Sequence, residues 1–204
     1  MTTNPPEADL LLTNGRVDPA DVRRQLSRWT RAGQVIQLRR GVYTLAPPYR
    51  KTAPHPFVVA NALVRASYVS LQAALAHYGM IPEYTPVVTC VTTGRPRRWR
   101  TSLGDYEFRH VKAAWFHGYR RLEVDAGQHA FVATPEKALL DLVHLQPGAD
   151  APAYLESLRL QALEQLDLGR LDDLAAAGDS PKLRRAARSI AALASAEAAE
   201  YEPL

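Results

Sequence analysis

Between Asp18 and Leu45 the spacing of apolar residues changes from helical to strand-like within a few positions. Val22, Leu26 and Trp29 recur at intervals of four and three and share one stripe of a helix, while Arg23, Arg24, Ser27, Arg28 and Arg31 fall on the opposite arc at about 100° per residue. Asp18 offers an N-cap acceptor, Pro19 suits the first helical position, Asp21 puts an acid in the first turn, and Gly33 marks the stop. Two short β-rich runs follow, Val35-Ile36-Gln37-Leu38 and Val42-Tyr43-Thr44-Leu45, separated by Arg39-Arg40-Gly41. The glycine admits the positive φ that so tight a loop demands. A helix with a basic face, a glycine stop and a basic-tipped hairpin, in that order, are the sequence form of a winged helix-turn-helix. Arg23, Arg24, Ser27, Arg28 and Arg31 are therefore the expected DNA-facing residues of the helix, and Arg39 and Arg40 those of the wing. Ahead of this helix only Pro6 to Thr13, with Leu10, Leu11 and Leu12, reads as helical. The competing reading is a solvated arginine face, since the chain carries 21 Arg against 4 Lys and arginine use is high throughout.

Beyond the hairpin, Ala46 to Pro56 carries four prolines, which predicts a stiff extended linker and a boundary between residues 1–53 and 54–204. Phe57 to Ala66 reads as an apolar helix, and Ser70 as the cap of a second one that runs to Gly79. Strand patterns then take over at Val87 to Thr92, Tyr106 to Val111, Tyr119 to Val124 and His129 to Ala133. The last third returns to helix: Thr134 caps one through Leu145, Asp150-Ala151-Pro152 opens another, and Ser180-Pro181 opens an alanine-rich one. Helices, a small sheet and helices again, segregated along the chain, predict an α+β domain rather than alternating βαβ units.

Charge is distributed unevenly although the net is only +4. Residues 1–53 hold nine basic and four acidic side chains, residues 95–121 eight and two, and residues 122–204 seven and fourteen. Two basic regions before an acidic one suit a protein that holds a polyanion with one part and presents another part elsewhere. No apolar run reaches the roughly 18 residues of a membrane span, and the polar start is unlike a signal peptide, so a cytoplasmic protein with no membrane partner is expected. The single cysteine, Cys90, sits in an apolar run and reads as a buried strand residue.

The second basic region contains Arg95, Arg97, Arg98, Trp99 and Arg100 between Gly94 and Thr101, in a stretch whose glycine and proline argue for a loop. Arginines on phosphates with a tryptophan as stacking face would make a second nucleic-acid contact. A solvated hairpin tip with its tryptophan folded onto the sheet is the alternative. Phosphate-loop, dinucleotide, zinc-protease and serine-hydrolase signatures are all missing, and the six histidines show no ligand spacing, so no catalytic residue, metal or cofactor is expected. The best enzymatic alternative is a DNA nuclease built on Asp105 and Glu107-Phe108-Arg109, where arginine replaces the usual lysine.

Three segments carry a family resemblance: Arg39-Arg40-Gly41-Val42-Tyr43, the run from Ser70-Leu71-Gln72-Ala73-Ala74-Leu75 through His77-Tyr78-Gly79 to Ile81-Pro82-Glu83, and Thr134-Pro135-Glu136-Lys137-Ala138-Leu139-Leu140-Asp141-Leu142. In this order the chain resembles the AbiEi-family antitoxins. The resemblance implies a transcriptional autorepressor whose N-terminal winged helix binds double-stranded operator DNA and whose C-terminal domain neutralises a nucleotidyltransferase-like toxin. A stand-alone winged-helix repressor is the other reading. Physically, Ser70 and Thr134 read as helix caps, and Lys137 and Asp141 as an i,i+4 pair on a helix surface.

Overall fold

A computed structural model describes residues 18–82 and 85–201. The helix expected over Pro6 to Thr13 lies outside the described residues. The chain divides into two units, one of residues 1–54 with 101–103 and one of residues 55–100 with 104–204. The smaller unit holds α1 (Pro19–Arg31) and a hairpin of β1 (Val35–Arg39) and β2 (Val42–Leu45). The Asp18 carboxylate accepts from the Ala20 N–H at 2.8 Å, as expected for the cap. β1 and β2 pair antiparallel from Val35↔Leu45 to Arg39↔Val42, and Gly41 takes a φ of +81° in the turn. The proline-rich segment is turned rather than extended, because the N–H groups of Tyr49 and Arg50 both bond back to the Ala46 carbonyl.

The larger unit is a six-stranded sheet with helices. Its elements are α2 (Pro56–Leu63), β3 (Ser67–Val69), α3 (Leu71–His77), β4 (Val87–Thr92), β5 (Arg97–Thr101), β6 (Gly104–His110), β7 (Tyr119–Asp125), β8 (Gln128–Ala133), α4 (Pro135–Leu145), α5 (Pro152–Ser157), α6 (Leu168–Ala177) and α7 (Pro181–Tyr201). The strand order is β5-β6-β4-β3-β8-β7. β3 runs antiparallel to β4 and parallel to β8, β4 is parallel to β6, and β7 is antiparallel to β8. The mixed α+β class expected from the sequence is therefore what the described residues form.

Two strands escape the hydrophobic pattern. β3 is a central strand of three residues, all buried, and too short to show a period. It ends the preceding helix at Leu63 instead of Ala66. Asn61 secures that junction: its side-chain amide donates to the Ser67 carbonyl at 3.1 Å, and its oxygen accepts from the Phe131 N–H at 2.7 Å. β5 occupies Arg97–Thr101, where Gly94 and Pro96 argue for a loop; both lie just before the strand, at a position sheets tolerate.

α4 is the hub of the helical layer. It packs on α3, α6 and α7, and every residue from Pro135 to Val143 is buried. α7 closes over it with Leu183, Ala186, Ala187 and Ile190, all buried and spaced as one helical stripe. Gly178, at the end of α6, is a tight point of this packing. A Cβ there would lie 2.6 Å from the Trp115 ring, and the indole is held by a hydrogen bond from its N–H to Asp141. Gly178→Ala is therefore expected to lower stability by roughly 1–3 kcal/mol through overpacking, measured as a shift of the chemical-denaturation midpoint.

Candidate nucleic-acid interface

On α1 the sequence pattern and the burial agree in direction. Val22, Leu26 and Trp29 are half-buried, and Arg23, Arg24, Ser27, Arg28 and Arg31 are all exposed on the other arc. Arg24 forms an intrahelical ion pair with Asp21 one turn earlier, which fixes its guanidinium along the helix surface. Ser27, Arg28 and Arg31 have no side-chain partner among the described residues. In the hairpin, Arg40 is exposed, and Arg39 is half-buried with its guanidinium donating to the Arg40 carbonyl at 3.0 Å. One short unit thus presents a basic helical arc and a basic hairpin tip.

The second arginine cluster is organised differently. Arg98 donates to Glu107 at 2.5 Å, and Arg100 lies 4.0 Å from Asp105. Members of each pair stand equidistant from the Ser102-Leu103 turn, so hairpin arithmetic would have found them once β5 was recognised. The Arg98 guanidinium, with Arg109 at 3.4 Å, holds the Glu107 carboxyl below the usual carboxylate range. Arg95 and Arg97 are exposed and outside these pairs, and Trp99 is half-buried with its indole N–H buried and unpartnered. The positive potential of this hairpin is accordingly lower than its arginine count suggests. The same pairs bear on the nuclease alternative, because Glu107 faces two guanidinium groups. Among the described residues no group of three His, Cys, Asp or Glu is placed to hold a metal ion.

The helix start at Thr134 departs from the sequence reading in one respect. Thr134 does cap α4, accepting from the Lys137 N–H at 3.4 Å. Lys137 and Asp141, however, are fully buried and not a surface pair. The Lys137 ammonium donates to Asp141 Oδ1 at 2.6 Å and to the Trp115 carbonyl at 3.0 Å, and lies 3.6 Å from the centre of the Trp115 ring. Asp141 also accepts from the Trp115 indole at 2.7 Å, Ser70 Oγ at 2.7 Å and the Tyr68 hydroxyl at 3.0 Å. Burial pushes the Lys137 ammonium down to about 8 against the pull of Asp141, and pushes the Tyr68 phenol up. Ser70 is consequently no side-chain cap for α3: its hydroxyl is committed to Asp141. Leu71, next in sequence, takes a φ of +55° to start the helix from that position. Gly118 leaves room for the lysine stem, since a Cβ there would come within 3.0 Å of Lys137 Cγ. With no exposed atom on either charged group, the network ties β3, α4 and the 3-10 turn at Ala113–Trp115 together and offers no access to a substrate.

Four histidines of the larger unit share a direction. His55, His77, His117 and His144 are each held below their ordinary value of 6.5, with burial the leading cause. His55 in addition accepts the Phe57 N–H through Nδ1, which its protonated form cannot do. The unfolded chain therefore binds more protons than the folded one below that value. Stability is expected to be complete above about pH 7 and to fall as the pH drops from 6.5 towards the lower folded values. Denaturation midpoints at about pH 7.5 and about pH 5.5 check this, and an equal or higher midpoint at the lower pH would contradict it.

No protein-family model matches the sequence, and no curated protein matches it. Among solved structures the fold is similar to the crystal structure of the RV2827C protein from Mycobacterium tuberculosis. The TM-score is 0.52 at 18% sequence identity, covering 93% of this chain and 72% of that one. At such identity the likeness is one of fold. No helix among the described residues is long and apolar enough to cross a membrane.

Proposed function

We propose that this chain is a DNA-binding repressor of the antitoxin type, with residues 1–53 acting as a winged helix-turn-helix and residues 54–204 as the neutralising domain. The observation that best supports the DNA part is the exposed arc of Arg23, Arg24, Ser27, Arg28 and Arg31 on α1, followed at once by the Arg39-Arg40 hairpin. The helix supplies donors at a spacing suited to major-groove edges, and the hairpin tip supplies charge for phosphates. The toxin part rests on the resemblance to AbiEi-family antitoxins, carried by the segments at the hairpin, at Ser70 to Glu83 and at Thr134 to Leu142.

The test has two arms. Binding to the DNA upstream of the chain's own gene is measured by fluorescence anisotropy across a salt series, with Arg39→Ala/Arg40→Ala beside the unaltered chain. Wing arginines on phosphates predict weaker binding to every sequence and a salt slope shallower by about one for each phosphate no longer neutralised. An unchanged slope removes the wing from the interface. For the second arm, a neighbouring nucleotidyltransferase-like gene is expressed to toxicity and growth is scored. The full chain is expected to restore growth and residues 1–53 alone to fail. A missing or harmless neighbour leaves the stand-alone repressor.

A further inference from the structure

β7 forms one edge of the six-stranded sheet, with β8 on one side and no strand of the described residues on the other. An edge strand presents a row of N–H and C=O groups that a further strand can pair with, and proteins usually guard such edges with like charges or bulges. β7 reads Tyr119-Arg120-Arg121-Leu122-Glu123-Val124-Asp125, and its four charged residues are all exposed. The charges are of opposite sign on the two sides of Leu122. They would oppose many partners, but not an antiparallel copy of the same strand.

We propose that β7 pairs antiparallel with β7 of a second copy of this chain, about a two-fold axis perpendicular to the sheet that passes midway between the two Leu122 residues. Such an axis makes an isologous contact, in which each residue meets the symmetric position of its mate. Residues directly opposite in an antiparallel pair share a face, so Arg121 of one copy stands against Glu123 of the other, and the pair occurs twice. Arg121 has no ion pair among the described residues. Glu123 uses Oε1 to accept the Gly127 N–H at 2.8 Å, which leaves Oε2 for a guanidinium. A two-residue slip in either direction would place Arg121 opposite Arg121 or Glu123 opposite Glu123, so the charges select a single register. On the same face, Phe131 of β8 stands opposite Arg121 and is one of the few large apolar side chains left exposed. The register irregularity between Glu123 and Asp125 restricts the seam to the middle of the strand. Association through so short a seam depends on concentration and weakens with salt.

The experiment is light scattering and sedimentation equilibrium on the full chain over a concentration series. Unaltered protein is expected to approach the mass of two 22.6 kDa chains. Arg121→Glu and Glu123→Arg should each sediment as single chains that still unfold cooperatively, Glu123→Arg at a slightly lower temperature because it also gives up the Gly127 hydrogen bond. Combining the two reversals in one chain should restore the dimer, and an equimolar mixture of the two single variants should form a mixed dimer. A single-chain mass for the unaltered protein at all concentrations overturns the proposal. So does a dimer that survives both single reversals, or a double reversal and a mixture that both remain single chains. These variants report on mass and the α1 arginines on operator binding, so pairing through β7 and DNA recognition stand or fall separately.

Discussion

Asp141→Ala is expected to cost this protein more stability than any other single side-chain truncation in the larger unit. The carboxylate accepts from Lys137, Trp115, Ser70 and Tyr68 in a region with no exposed atom on lysine or aspartate. Removing it leaves a buried ammonium without its counter-charge and three neutral donors without an acceptor. Breaking a buried pair by deleting one partner costs about 3–5 kcal/mol, a large share of a typical stability of roughly 5–15 kcal/mol. At about 2–4 °C per kcal/mol for a chain of this size, the melting temperature should fall by about 6–20 °C, or the protein should be recovered only as aggregate. Lys137→Met should be milder, because the remaining carboxylate keeps three hydrogen bonds and the shorter chain fits the channel beside Gly118. If Lys137→Met proves the more damaging of the two, the carboxylate is not the centre of this network. Thermal melts of both variants decide the order.

Arg28→Ala/Arg31→Ala is expected to abolish sequence-specific operator binding while leaving the fold intact. Both side chains are exposed and free of ion pairs among the described residues, whereas Arg24 is already engaged by Asp21. The residues that hold α1 in place, Val22, Leu26 and Trp29, are untouched. A well-placed arginine contact to a base edge contributes about 1–3 kcal/mol of discrimination, so removing two should weaken specific binding by at least about thirtyfold and by up to about ten-thousandfold. Binding to unrelated DNA should fall much less and track the salt concentration. Equal affinity of the double variant for its own upstream DNA would remove α1 from the recognition role, and the hairpin and the second arginine cluster would then carry the interaction. A melt matching that of the unaltered protein separates this outcome from unfolding.

The two arginine-rich regions show why composition alone misleads about an interface. Each is dense in positive charge, yet in the second the acids lie across a strand pair and neutralise half of what the sequence displays. Arg98 meets Glu107 and Arg100 approaches Asp105. On α1, Asp21 takes Arg24, while Arg28 and Arg31 have no ion pair among the described residues. A nucleic-acid surface is set by charge that has no internal partner, and only pairing geometry reveals which charge that is.

Much of the secondary structure was legible in the pattern of residues. α1, the β1–β2 hairpin, β4 and α4 begin and end within a residue or so of the positions set by capping side chains, glycines and apolar periodicity. These elements carry their own signals: Asp18 and Thr134 as N-caps, Gly41 in its turn, the β-rich run from Val87 to Thr92. The end of α3 likewise follows from Gly79, which takes a positive φ while Met80 bonds back to Leu75. The environment of each charge was decided at the tertiary level. Thr134-Pro135-Glu136-Lys137 has the local chemistry of an exposed helix start, and the i,i+4 spacing of Lys137 and Asp141 is that of a surface pair. Because α3, α6 and α7 all pack on α4, the helix has no surface from Pro135 to Val143, and the same four-residue spacing becomes a buried ion pair on which Ser70, Tyr68 and Trp115 converge from distant parts of the chain. β3 and β5 were likewise decided by their neighbours, since three residues are too few to show a period and an arginine-rich strand takes its identity from the acids across from it. Periodicity and capping are local and are written in the sequence; burial, and with it the meaning of a charged residue, is a property of what packs around it.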